Sequence, residues 1–171
     1  PGNGRVGYLF QDYALFPTMT VRKNICIGMG QRNEEKVKGW LKRYGLEGMA
    51  YTYPNRLSGG QRQRVAMLRM LAAKPECILL DEPFSALDGH VKRSMESGRM
   101  GMLTDFHNPV VFVSHNRDEV YRLAERIGSM ESGVLSTVRD KKDFFMRPMS
   151  VEQALLVGCN NISEVKWQDK H

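Results

Sequence analysis

Cys77-Ile78-Leu79-Leu80-Asp81-Glu82 begins as an unbroken apolar run and ends in two adjacent carboxylates. Four apolar residues are too few for a helix and suit a strand buried on both faces. Two other runs share this design: Val6-Gly7-Tyr8-Leu9-Phe10 leads into Gln11, and Val110-Val111-Phe112-Val113 leads into Ser114-His115. The intervening segments are long enough for helical crossovers, which predicts an α/β fold with a mostly parallel sheet. Sheets of that kind bind ligands beyond the carboxyl ends of their strands. Gln11, Asp81, Glu82 and His115 all fall at such ends. A lone Asp-Glu pair after a strand also fits a surface turn, but four suitable groups at three equivalent ends favour a site. Their chemistry suits metal-assisted phosphoryl transfer. Asp81 can hold Mg²⁺ directly or through water, and Glu82 can orient and deprotonate an attacking water. His115 can contact a terminal phosphate, and Gln11 offers a neutral oxygen to the metal or the water.

A length of 171 residues predicts one domain or a piece of a larger one. With 42% hydrophobic and 26% charged residues the composition is that of a globular chain and excludes disorder. No stretch reaches the roughly 18 consecutive apolar residues of a membrane span, so membrane association is expected only through a partner. The chain opens Pro1-Gly2-Asn3-Gly4, without a signal-peptide pattern. Cys26, Cys77 and Cys159 form no close pair and read as reduced, mostly packed thiols of a cytosolic protein. Residues 1–74 hold 13 Lys/Arg and 4 Asp/Glu, the remainder 12 and 15. The basic half lacks dense runs or interleaved aromatics, so it reads as a solvated face and does not indicate nucleic acid.

Leu57-Ser58-Gly59-Gly60-Gln61 precedes a helical pattern over residues 61–73 that stops before Pro75. Ser58 is a good N-cap, and Gln61 three residues later completes a capping box. Val65, Leu68 and Ala72 share one face, while Arg62, Gln63 and Arg64 are expected to point outward. Two glycines at a helix start expose N–H groups to an anion at the positive end of the macrodipole.

This pentapeptide resembles the signature motif of ABC-transporter ATP-binding subunits. Cys77 to Glu82 resembles their Walker B strand, Ser85-Ala86-Leu87-Asp88 the D-loop, Val113-Ser114-His115 the switch histidine, and Gln11 to Pro17 the Q-loop. The five motifs stand in family order, and the resemblance runs to about Ser163. It implies a P-loop NTPase-like, mostly parallel sheet with a helical subdomain, incomplete at the N-terminus. Residues 1–17 and 73–135 would form the catalytic core, 18–72 the helical signature subdomain, 136–163 a helical tail within the 1–163 domain, and 164–171 a further tail. It also implies ATP and Mg²⁺ as cofactors, with Gln11 and Asp81 at the metal and Glu82 as general base. His115 would sense γ-phosphate. Ser58, Gly59, Gly60 and Gln61 would close on the ATP of a second, head-to-tail ATPase subunit, and Asp88 would couple the two sites. The other implied partners are membrane permease subunits and, indirectly, a substrate-binding protein, at the cytoplasmic face of the cell membrane. Residues 7–17, 114–120 (including Asn116) and 158–163 resemble the molybdate-importer branch; importers of sulfate, polyamines, sugars or iron use similar ATPases. Chromosome-maintenance ATPases share some motifs but place a long coiled coil between Q-loop and signature, where this chain has 47 positions without heptads.

The phosphate-cradling loop G-x-x-x-x-G-K-[ST] is absent, since no Gly-Lys pair occurs. The expectation is a chain that alone binds MgATP weakly and does not hydrolyse it, and whose sheet has an uncovered edge and face. A non-catalytic remnant, or a partner of an intact subunit, is the alternative. Leu68 and Met70 replace the small residues usual in this family, so local packing is expected to differ. Gly98 and Gly101 interrupt an expected helix at roughly 1 kcal/mol each, and the methionines fill irregular gaps. His90, His107 and His171 read as solvent-exposed, and Trp40 as a packing residue or a permease anchor. Beyond His115 a helix over 117–126 is expected, with Val120, Leu123 and Ile127 inward. A hairpin about Gly133, a helix over 141–146 and a last helical turn or two over 151–157 follow. The regulatory β-domain common in this branch is not expected in this chain.

Overall fold

The computed structural model describes residues 6–30, 33–83, 103, 106–160 and 162–163. The chain divides into two compact units, Pro1–Val113 and Ser114–His171.

In the first unit the three apolar runs become β1 (Val6–Leu9), β2 (Cys77–Asp81) and β3 (Val110–Val113). They form one parallel sheet in that order, with Gly7 opposite Ile78, Leu80 opposite Phe112 and Asp81 opposite Val113. Three helices precede β2: α1 (Val21–Cys26), α2 (Glu34–Arg43) and α3 (Gly59–Ala72). Helix α2 follows elementary electrostatics: Asn33 caps it, Glu34 and Glu35 stand in its first turn, and Lys42 and Arg43 in its last. Val37 and Leu41 face the core, and Trp40 packs beside them with the Lys36 ammonium 4.7 Å from its ring centroid. In α1 the buried Asn24 accepts from the Phe16 N–H and donates to the carbonyls of Phe16, Met19 and Thr20. This polar side chain thereby fastens the loop that enters the helix.

Helix α3 lies against one face of the sheet. Leu9, Ile78 and Leu80 point toward it and are buried with Val65, Leu68 and Ala72. Gly7 permits the close approach, because a Cβ there would stand 2.7 Å from Met70 Cγ and 3.1 Å from Pro75 Cγ. The large Met70 is thus matched by a missing side chain on β1. The strands are not buried on both faces. Tyr8, Val111 and Val113 are exposed, because alternate residues point away from α3.

The second unit opens with α4 (Arg117–Leu123). Its cap Asn116 accepts from the N–H groups of Asp118 and Glu119. The helix stops short of the expected 126, since Arg126–Ile127 forms β4 and pairs with β7 (Arg139–Asp140). The expected hairpin is present as β5 (Met130–Glu131) and β6 (Val134–Leu135), turning through Ser132 (φ 49°) and Gly133 (φ 81°). Helices α5 (Lys141–Met146) and α6 (Val151–Leu156) follow, capped by Asp140 and Ser150. Gln153 of α6 is buried. It accepts from Arg139 and the Met149 N–H and donates to Ser129 Oγ.

Candidate functional site

The carboxyl ends of β1 and β2 bring Gln11 and the Asp81-Glu82 pair to the same edge of the sheet. Gln11 stands two positions beyond Leu9 in an exposed turn. Across the strands the Tyr8 hydroxyl donates to Asp81 Oδ2 at 3.4 Å. Desolvation and the neighbouring carboxylate push the Tyr8 hydroxyl above its ordinary pKa. Asp81 closes β2, and Glu82 leaves it in the left-handed region at φ 41°. Its N–H still donates to the Val113 carbonyl at 3.0 Å, so the ladder to β3 persists one residue past the strand. A left-handed conformation is uncommon for a residue other than glycine and has to be held by its surroundings.

The start of α3 has the predicted box. Ser58 Oγ accepts from the Gln61 N–H at 3.3 Å, and Gln61 Oε1 accepts from the Ser58 N–H at 2.8 Å. A Cβ on Gly59 would meet nothing within 4 Å and Ser58 is exposed, so the helix start is open at those two residues. Gln63 departs from expectation. It is fully buried rather than outward, and its Nε2 donates to the Pro83 carbonyl. Helical spacing of polar residues suggested solvent, but the turn after β2 supplies an acceptor on that side.

Arg69 is a second residue that motif reasoning passed over. Its guanidinium donates to the carbonyls of Ala14 (2.7 Å) and Tyr13 (3.1 Å), and its carbon centre lies 5.4 Å from the Phe16 ring centroid. Burial lowers its pKa from the ordinary value. Tyr13 and Ala14 are themselves left-handed, at φ 65° and 40°. A cation set between Leu68 and Met70 in the otherwise apolar second half of the helix, residues 65–72, was the available signal.

His115 belongs to the second unit and is exposed. Both its neighbours are fixed: Ser114 Oγ donates to the buried Glu119 carboxylate at 2.8 Å and accepts from the Asn116 N–H at 3.0 Å. Asp88, with Ser85 to Leu87, lies outside the described residues, as do Gly98, Gly101, His90 and His171. His107 is exposed as expected. Cys26 and Cys77 are partly buried and Cys159 is exposed, all free.

Among the described residues no three His, Cys, Asp or Glu side chains gather as a metal cage. A divalent ion at Asp81 would therefore draw most of its ligands from phosphate oxygens and water. Mg²⁺ characteristically binds in this way, through one or two carboxylates plus substrate phosphates. The donor set fits that ion and no all-protein site. Among the described helices none is long and apolar enough to cross a membrane.

Residues 2–85 match the family model described as ABC transporter. A sulfate/thiosulfate import ATP-binding protein, CysA, of Synechocystis sp. is 38% identical over 163 residues, which is 92% of this chain and 46% of that protein. The CysA of Halalkalibacterium halodurans is 40% identical over 156 residues, 85% of this chain and 44% of the relative. The chain thus spans about half the length of the curated relatives it matches. Among solved structures, the ATP-binding cassette MJ0796, in a dimeric post-hydrolysis state bound to ADP and Pi, superposes with a TM-score of 0.64. It is 32% identical, over 80% of this chain and 63% of that one. The sheet and α3 therefore belong to a P-loop NTPase-like fold. The relatives' names point to sulfate and thiosulfate, where the local stretches had suggested molybdate first.

Proposed function

We propose that this chain is an ABC transporter ATP-binding domain, the family whose model matches residues 2–85, and that it serves as part of the ATP-hydrolysing subunit of an importer. The observation that carries the proposal is the placement of Gln11, Asp81 and Glu82 at one end of adjacent parallel strands. Asp81, with Gln11, holds Mg²⁺ on the phosphates of ATP, and the ion supplies charge neutralisation there. Glu82 accepts a proton from the attacking water, and His115 contacts the terminal phosphate. Ser58, Gly59, Gly60 and Gln61 present the open start of α3 to nucleotide held by a second, head-to-tail subunit, with Asp88 coupling the sites. The phosphate-cradling loop is not within these residues. Hydrolysis therefore requires that loop from further sequence of the same polypeptide or from another subunit. Permease subunits at the cytoplasmic face of the cell membrane, fed by a substrate-binding protein, complete the transporter.

The cargo is a tetrahedral oxyanion. Sulfate or thiosulfate is favoured by the names of the relatives. Molybdate is the second reading, supported by residues 7–17, 114–120 and 158–163, Asn116 among them. Uptake of labelled sulfate and labelled molybdate in cells lacking the gene tests both. Loss of sulfate uptake alone supports the first, loss of molybdate uptake alone the second, and loss of neither overturns the oxyanion cargo. Mixing the chain with an intact ATPase tests the non-catalytic alternative. Activity that rises on mixing and falls again with Ser58→Ala marks a partner subunit.

A further inference from the structure

Helix α3 does more than present its capped start. Gln63, in its second turn, holds the carbonyl of Pro83, directly after the Asp81-Glu82 pair. Arg69, six residues on, holds the carbonyls of Tyr13 and Ala14, two and three residues after Gln11. Each contact meets backbone in an unusual conformation: Glu82 on one side, Tyr13 and Ala14 on the other. These turns lack glycine to make that conformation easy; Asp12 Oδ1 accepts from the Ala14 N–H and the Val113 carbonyl accepts from the Glu82 N–H, and the α3 side chains add donors to the same two loops. Gln63 is a poor choice for stability alone, because its Oε1 is buried with no hydrogen-bond partner among the described residues. An apolar side chain of similar size would fill the position without that penalty.

We propose that Gln63 and Arg69 are positioning residues that fix the two nucleotide-side loops from one helix, Gln63 setting the turn of Glu82 and Arg69 the loop of Gln11. Neither touches substrate. A shift of the Ser58–Gly60 end of α3 is thereby carried to both loops of the same chain. This rests on the ATPase reading for its functional consequence but not for its geometry.

The test uses the protein as its gene encodes it, with Gln63→Met and Arg69→Met, which keep bulk and remove the donors, and with Arg69→Lys. Amide exchange is followed at Glu82, bonded to Val113, at Tyr13, bonded to Phe10, and at Ile78, bonded to Pro109. Gln63→Met is expected to speed exchange at Glu82 about tenfold and to leave Tyr13 and Ile78 unchanged. Arg69→Met is expected to do the reverse at Tyr13 and Glu82, with partial rescue by Lys. MgATP hydrolysis in both Met variants is expected to lose about tenfold in kcat with KM within twofold. Equal acceleration at all three amides, or at none, overturns the proposal. Selective exchange with kcat unchanged in both Met variants overturns its functional half. A wild type that never hydrolyses ATP fails the ATPase reading while the exchange pattern still decides the geometry.

Discussion

The two units are held together by different means. The first has an apolar core: Leu9, Val21, Ile25, Leu46, Val65, Leu68 and Ile78 are all at most 2% exposed. In the second, the buried side chains described are mostly polar, with Glu119, Ser129 and Gln153 beside only Ile127 and Phe144. Ser129 Oγ contacts Glu131, Ser136 and Gln153, Ser150 Oγ donates to Glu131, and Arg139 spans Asp143, Arg147 and Gln153. A small segment that cannot bury much apolar surface instead fixes its turns by satisfying polar groups. Packing of the first kind is non-directional and tolerates similar shapes, whereas the second depends on individual donors and acceptors.

Substitutions at three positions sharpen or break that contrast. The largest effect is expected from Leu68→Ala, which leaves a cavity between α3 and the sheet. Urea unfolding should show a loss of about 2–5 kcal/mol, while Leu68→Met should lose less than about 1.5 kcal/mol. Gln153→Ala should cost about 1–3 kcal/mol by orphaning the Met149 N–H and an Arg139 donor. Here the similarly sized Gln153→Met should rescue nothing, as amide exchange at Ser136, bonded to Ser129, would reveal. If Met rescues position 153 as well as 68, the second unit is held by packing after all. Ser58→Ala removes one side of the capping box and should cost about 1 kcal/mol in the same unfolding assay, with Ser58→Asp close to wild type.

Much of this was legible because it is local. A short apolar run that ends in carboxylates predicts β2, and Ser58 with Gln61 predicts the box that starts α3. Gly133 predicts the turn of the hairpin. What escaped was set by contacts distant in sequence. Gln63 is polar on a helix and reads as outward until Pro83, twenty residues later, offers a carbonyl. Arg69 belongs to no motif and is passed over until the loop after β1 folds back to it. The helix after His115 reads three residues too long because pairing with Arg139–Asp140 claims Arg126 and Ile127 for a strand. The exposed side of β1 and β3 was hidden for a related reason, since apolar composition does not say how many faces are covered. Strand ends and motif order suggested Gln11, Asp81, Glu82 and His115 as a set. The fold puts the first three at one end of the sheet, while His115 belongs to the second unit, where Ser114 and Asn116 beside it are locally pinned.

The role proposed for Glu82 is that of proton acceptor in an ATP-hydrolysing site. MgATP turnover by the gene's full product, compared with its Glu82→Gln variant, tests it most directly. With Glu82 as the proton acceptor, kcat should fall about 10²–10⁴-fold with nucleotide binding retained. Turnover that survives the substitution unchanged would contradict it.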